Sequence, residues 1–291
     1  MKLRISPLLA ALPIAFSLIG CGQTGSGIGG RNHDSEQVLE YVSLSPSTTE
    51  ILFVCGIPTT KLLGRTAACN YPANLTKVPV VVNGTTPDFE KIAALKPQRI
   101  ILEKDLYSEA TIQKLKDLGP EVLVADIDTP EKYRQLLVLI SKGGGTEVST
   151  SAYIDKVFAA ADVLKANMAS GTKISVVIGD PATGYMAMGN KTLFAEFVKR
   201  AGGDFVGPDS SRFEKVSAEQ LIAMNPKVVI STFADSDKVA KDQALKPVDA
   251  IAKGAVMGID PDLLLRNGGR VEKLLDNVAT GIGRVNALIE K

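Results

Sequence analysis

Two stretches of this 291-residue chain carry the same residue spacing, and that repetition constrains the fold more than any other feature. Glu90-Lys-Ile-Ala-Ala-Leu-Lys-Pro97 runs into Ile100-Ile101, and Glu219-Gln-Leu-Ile-Ala-Met-Asn-Pro226 runs into Val229-Ile230. Each has a Glu seven positions before a Pro, a large apolar residue two after the Glu and an Ala four after it, at a constant offset of 129 (219 − 90 and 226 − 97). An acid in a first helical turn meets the positive end of the macrodipole, and Pro ends the helix before a strand. The spacing therefore reads either as a recurrent helix-to-strand joint or as two related lobes, each presenting one carboxylate at an equivalent place. In the second reading Glu90 and Glu219 form a two-point acidic surface that basic sockets on a partner can recognise.

Around the repeat, short apolar strands alternate with helices. Strands are expected over 41–44, 62–65, 99–102 and 122–125, and helices over 47–56, 89–95, 107–118 and 129–141. Ser47 and Glu50 have capping-box spacing for the first helix, and Gly56 closes it. Val157, Ala161, Leu164 and Met168 recur at helical spacing in a longer helix over 146–169, about 36 Å by helical rise. The second half resumes with a strand over 174–178, helices over 193–201 and 218–224, and a strand over 228–231. A helix over 238–245, a segment at 255–259 and a final helix over 270–290 follow. The expectation is an α/β protein of two lobes with mainly parallel sheets flanked by helices, joined by one long connecting helix. The divisions are a signal peptide at 1–20, a tether at 21–37, an N-terminal lobe at 38–145, the connecting helix at 146–171 and a C-terminal lobe at 172–291.

Lys2 and Arg4 precede an apolar stretch ending Leu18-Ile19-Gly20-Cys21, the layout of a secretory signal. The Cys at the cut resembles a bacterial lipobox, so a lipid on Cys21 would anchor the mature chain to a membrane. The alternative is an ordinary signal peptide with an incidental Cys. Residues 22–36 are rich in Gly and polar residues and read as a flexible tether. Gly25, Gly27 and Gly30 fit G-x-G-x-x-G, but no strand precedes them. Loss of Lys2 and Arg4 with the signal takes 33 basic residues to 31 against 32 acids, so no basic field exists to hold nucleic acid. No later run is long and apolar enough to span a membrane. The single histidine, His33, lies in the tether. That leaves no imidazole in the body for a Ser-His-Asp triad or for the usual zinc site, and no metal site or cofactor is expected. Cys55 and Cys69 are either a disulfide pair or two unpaired thiols, Cys55 then being a small buried helix residue.

Five runs carry a resemblance to the helical-backbone class of periplasmic substrate-binding proteins, which serve ABC importers of corrinoids, ferric siderophores and haem. They are VSLSPSTTEILFVCG (42–56), GRTAACNYP (64–72), DFEKIAALKPQRII (88–101), TLFAEFVKRAGGDFV (192–206) and VSAEQLIAMNPKVVIS (216–231). The resemblance implies a ligand in the cleft between two lobes, no enzymatic activity, and a monomer in the periplasm or on the outer face of the membrane. It places Glu90 and Glu219 where the family docks onto arginines of the permease.

Candidate ligand residues come partly from their place along the chain and partly from that resemblance. Pro46, Ser47 and Thr48 lie where a strand ends and a helix begins, where free backbone N–H groups can hold an anion or amide oxygen, or where simple capping uses them up. Asn70 and Tyr71 lie in the following loop, where polar and aromatic groups can line a cleft or where Tyr71 is simply a packed amphipathic side chain. Tyr185 and Met186 read as a Gly-rich turn after a strand. Phe213 matches an aromatic-platform position, and Asp262 and Arg266 in DPDLLLRNGGR match positions near the ligand in cobalamin-binding relatives, Arg266 being otherwise a surface cation on a helix. The best-known cobalamin pattern uses tryptophans; this chain has none and reads Val82-Asn83-Gly84 where one can stand. GRTAACNYP still looks most like the corrinoid-associated members. An anionic siderophore would draw on Arg65, Lys104 and Arg266, and haem on an axial Tyr71 or Tyr185. Two other classes stay open. An exported hydrolase working with carboxylates alone would need two of them about 5–10 Å apart in a cleft. A scaffold lipoprotein would have no lined cleft.

Overall fold

The computed structural model describes residues 38–289, so the signal peptide (1–20), the lipidation site Cys21 and the tether with His33 lie outside the described residues. The first half runs β1 (Tyr41–Ser43), α1 (Pro46–Val54), β2 (Leu62–Thr66), β3 (Val80–Asn83), β4 (Thr86–Pro87), α2 (Phe89–Leu95), β5 (Arg99–Glu103), α3 (Glu109–Asp117), β6 (Glu121–Ala125) and α4 (Pro130–Lys142). Its sheet has the order β4-β3-β2-β1-β5-β6, parallel except for β4. Alternation along the strands covers both faces. Ile100 and Leu102 pack with Ile92, Ile112 and Leu115, while Tyr41 and Ile101 turn to the opposite face with Ile51, Leu137 and Ile140.

α5 (Glu147–Asn167) then crosses to the second half. Its 21 residues span about 32 Å. It packs against α1 and α4 on one side of the chain and against the later helices α6 (Leu193–Arg200) and α11 (Val271–Ile289). The second half supplies β7 (Lys173–Asp180), β8 (Gly184–Met188), α6, β9 (Asp204–Phe205), β10 (Phe213–Val216), α7 (Ala218–Met224), β11 (Val228–Thr232), α8 (Ser236–Lys241), α9 (Asp249–Ala252), β12 (Val256–Ile259), α10 (Pro261–Leu264) and α11. The sheet order is β10-β8-β7-β11-β12, with β9 also beside β7; β8 and β10 run antiparallel and the rest parallel. The first lobe keeps one private cluster under α2 and α3. The other face of its sheet, the helices and the whole second sheet share a continuous apolar core.

The repeat extends well beyond the two glutamates. N-caps Asp88 and Ser217, left-handed C-caps Lys96 (φ 48°) and Asn225 (φ 41°), and strand starts Arg99 and Val228 all keep the offset of 129. In both halves the helix stops before its Pro and delivers a buried strand beside the lobe's first strand.

Several expected elements are corrected. The N-cap of α1 is Ser45, whose side chain accepts from the Thr48 N–H, so Ser47 and Glu50 form no capping box. Ser45 wins because it holds the extended backbone a cap needs, while Pro46 takes the first helical position. α3 starts at Glu109 behind its cap Ser108, not at 107. The helix expected over 238–245 is α8 followed by a separate 3₁₀ turn at Gln243–Leu245. Tyr185 and Met186 lie in strand β8, not in a turn. The turn is the tighter one before it, where the Asp180 carboxylate accepts from the Ala182 and Thr183 N–H groups.

Candidate functional site

In an open α/β sheet, ligands bind beyond the carboxyl ends of the strands, where the strand order reverses. In the first sheet the chain leaves β1 for β2 on one side and returns to β5 on the other. Glu103 is the last residue of β5, and the β5 and β6 ends deliver Glu103, Lys104, Asp105, Asp126 and Asp128 to a cavity of about 240 Å³. The far wall comes from the second lobe: Met188 at the end of β8, Ser211 and Arg212 just before β10, Phe213 at its start, Leu264 at the end of α10, and Leu265 and Asn267 after it. The cavity is thus lined from both lobes.

Its polar lining is uneven. Lys104 pairs with Asp126 at 3.0 Å, and Lys132 reaches Asp126 at 3.2 Å and Asp128 at 2.9 Å. Asp105 accepts from the Ser211 hydroxyl across the lobes at 3.1 Å. Glu103 forms no salt bridge among the described residues. Burial raises its carboxyl above the ordinary value of 4.5, the Ser47 hydroxyl pulls it back, Asp105 pushes it up, the Arg266 guanidinium draws it down, and Glu50 adds a last push upward.

A second polar cluster joins the lobes through α1. Glu50 is buried, its side chain 2% exposed, and accepts from Arg266 at 3.1 Å and from Arg270 at 3.0 and 2.6 Å. Arg266 also donates to Asn70 at 2.8 Å and pairs with Asp262 at 2.7 Å, while Asn70 donates to Asp262 at 2.7 Å. The Arg270 guanidinium lies 4.8 Å from the centre of the Tyr71 ring. Gly268 and Gly269 allow this closeness, since a Cβ on either would run into Glu50. Asn70, Tyr71, Asp262 and Arg266 are therefore brought together, but onto one another and Glu50 rather than onto the cavity wall.

The other expected ligand residues are dispersed. Thr48 is fully buried and its hydroxyl lies 2.7 Å from Ser43 Oγ and 2.8 Å from Ser45 Oγ, so capping and core bonds use it up. Ser47 is buried beside Glu103, and Pro46 is partly buried at the first turn of α1. The Tyr185 hydroxyl donates to Asp242, away from the cavity, and Met186 is partly buried on β8. Of the ten expected ligand residues, Phe213 alone lines the cavity. Glu103, Asp105, Asp126 and Met188 were missed; the ends of the apolar strands were the signal that could have found them. Cys55 and Cys69 are both buried free thiols, Cys55 pushed up to about 12 by burial. Glu90 and Glu219 are exposed second residues of α2 and α7, in no salt bridge among the described residues. Hydrogen bonding from Ser217 holds the Glu219 carboxyl below the usual range.

No helix among the described residues is long and apolar enough to cross a membrane. The "Uncharacterized ABC transporter substrate-binding lipoprotein YvrC" of Bacillus subtilis (strain 168) is 24% identical, over 97% of this chain and 98% of its own. The "Vitamin B12-binding protein" of Salmonella paratyphi A (strain ATCC 9150 / SARB42) is 25% identical over 65% of this chain and 70% of its own. Among solved structures, the periplasmic heme-binding protein RhuT from Roseiflexus sp. RS-1 matches with a TM-score of 0.70 at 19% identity, covering 85% of this chain and 98% of that one. The sequence profile described as "Periplasmic binding protein" matches residues 42–263, most of the chain. Members of that family carry solutes and are not enzymes, which removes the hydrolase reading. Two α/β lobes around a shared cavity, matched along most of their length, make this chain a member of the periplasmic binding protein family.

Proposed function

We propose that this chain is the substrate-binding lipoprotein of an ABC importer, capturing a metal chelate, a corrinoid first of all, between its lobes. The observation that carries the reading is the cavity lined from both lobes, with Phe213 as its aromatic wall. The likeness to a vitamin B12-binding protein in sequence favours a corrinoid. The two tyrosines that could ligate haem are engaged elsewhere, Tyr71 under Arg270 and Tyr185 on Asp242. The cations that could hold an anionic siderophore are engaged too: Arg65 on the Leu75 and Thr66 carbonyls, Lys104 on Asp126, Arg266 on Glu50. Haem and ferric siderophores are therefore the second reading, kept by the fold likeness to a haem-binding protein.

At about 240 Å³ the cavity is smaller than the roughly 300–1,000 Å³ of most small-molecule sites, so a macrocycle needs the lobes to part. Parting breaks the exposed Ser211–Asp105 and Arg200–Glu131 contacts, while the continuous core along α5 and α11 limits the swing. Delivery uses Glu90 and Glu219 as the two acidic tips that meet basic sockets on the permease, and a lipid on Cys21 keeps the carrier at the outer face of the membrane.

The test is an absorbance and thermal-shift titration of the purified protein with cyanocobalamin, hemin and ferric siderophores, all coloured. A chelate at a hundred times its Kd raises stability by about 2.7 kcal/mol. Binding of cyanocobalamin is expected; a protein that binds none of them is not this carrier. Uptake by cells carrying Glu90→Ala with Glu219→Ala should fall while ligand affinity holds, and a matching loss of affinity would remove the docking role.

A further inference from the structure

We propose that the cavity selects a ligand of neutral or positive charge that offers hydrogen-bond donors, with Glu103 as the specificity-determining residue. The inference rests on the carrier reading above and narrows its ligand class. The charges around the cavity carry it. Among the described residues, every cation lining it already has a carboxylate: Lys104 has Asp126 at 3.0 Å and Arg212 has Glu214 at 3.2 Å. Lys132, next to the wall, is shared by Asp126 and Asp128. The carboxyls are not all matched in turn. Asp105 accepts from one hydroxyl, that of Ser211, and Glu103 has the Ser47 hydroxyl and no ion pair. Two acids therefore face the cavity in no salt bridge among the described residues, Arg266 acting on Glu103 only from a distance while it pairs with Glu50 and Asp262, and no cation lining the cavity is without a carboxylate partner.

An ionised carboxylate accepts and cannot donate, so its complement is an amide NH₂, an ammonium or a chelate of net positive charge. A ligand bearing carboxylates would be desolvated against Glu103 and Asp105 with no free cation to receive it. Glu103 matters most because it is the more buried of the two, where a charge is felt most strongly. Burial already holds its carboxyl above the ordinary value, and an arriving donor or cation relieves that strain on the charged form.

The experiment compares one macrocycle in two charge states. Native protein and Glu103→Gln are titrated by absorbance at neutral pH with dicyanocobinamide, which carries neutral amides, and with cobyrinic acid, which carries carboxylates in their place. Hemin and cationic ferrioxamine B are run beside them. Native protein should bind the amide form at least about tenfold tighter than the acid form, and Glu103→Gln should close most of that gap by gaining affinity for the acid form. Asp105→Asn serves as a second variant, with a smaller change in the same direction. Preference for ferrioxamine B over hemin supports the charge rule even if no corrinoid binds. Equal or tighter binding of cobyrinic acid or hemin overturns the inference and leaves the carrier reading standing. An unchanged ratio in both variants overturns the residue assignment. Failure of all four probes to bind native protein overturns both.

Discussion

Two glutamates flank the seam between the lobes, and they are provided for in opposite ways. Glu50 sits on α1 with two guanidinium groups, an Asn–Asp bridge and a Tyr ring around them. Glu103 sits at the end of β5 with a hydroxyl and no ion pair. A buried charge is stable only when paired and fully hydrogen-bonded. The first region therefore reads as a fixed joint between the lobes. The second leaves binding capacity open to whatever enters the cavity.

The largest effect should come from breaking the joint. Glu50→Ala strands Arg266 and Arg270 without their partner and is expected to cost about 3–5 kcal/mol in urea unfolding. A loss well under 1 kcal/mol would mean the two carboxyls differ less than their surroundings imply. Gly269→Ala attacks the same joint sterically, pushing a methyl group onto the Glu50 carbonyl oxygen, at about 1–3 kcal/mol. Tyr185→Phe, in contact with neither carboxyl's hydrogen-bond partners, removes the hydroxyl held by Asp242 and should cost about 1 kcal/mol with ligand affinity unchanged. A lowered affinity would place Tyr185 in the ligand site after all.

Glu103→Gln should do the reverse of Glu50→Ala. A carboxyl whose folded-state pKa is raised binds more protons folded than unfolded, so native stability falls as pH climbs from 4.5 through the raised value and then levels. The variant lacks that fall and should be the more stable protein at pH 8 in matched denaturant curves. A less stable variant across the whole range would show that Glu103 is a structural group. Smallest of all, Glu90→Ala and Glu219→Ala should barely move the unfolding midpoint, because both side chains are exposed and form no salt bridge among the described residues. Their effect belongs in transport alone.

The repeat made much of this legible in advance. The spacing of Glu, Ile or Leu, Ala and Pro located α2, α7, β5 and β11, since a capped helix halted by Pro before an apolar strand is encoded within some fourteen residues. Periodicity located α5 for the same local reason, although its ends came at Glu147 and Asn167 rather than 146 and 169. The site was far less legible. Asn70 and Tyr71 were candidates for their loop, Asp262 and Arg266 by resemblance; the four do meet, but Glu50 is the group that gathers them. Its spacing from Ser47 looked like a helix cap. Short strands such as Gly184–Met188 and Phe213–Val216 carried too little pattern of their own, because antiparallel pairing with each other and with β7 makes them strands.

The alternation of strands and helices, the two-fold recurrence and the acids at its helix starts are all written locally along the chain. Each depends on neighbours a few residues away, through capping, dipole and apolar period. Which carboxyl gains an ion pair and which does not follows from contacts made across the folded molecule. Glu50 and its arginines are more than 210 residues apart in the chain, and their contact exists only once both sheets have closed on the same helical layer. Glu103 is left open by that same closure, because the switch of strand order points it at the cavity while every nearby cation is turned to another acid.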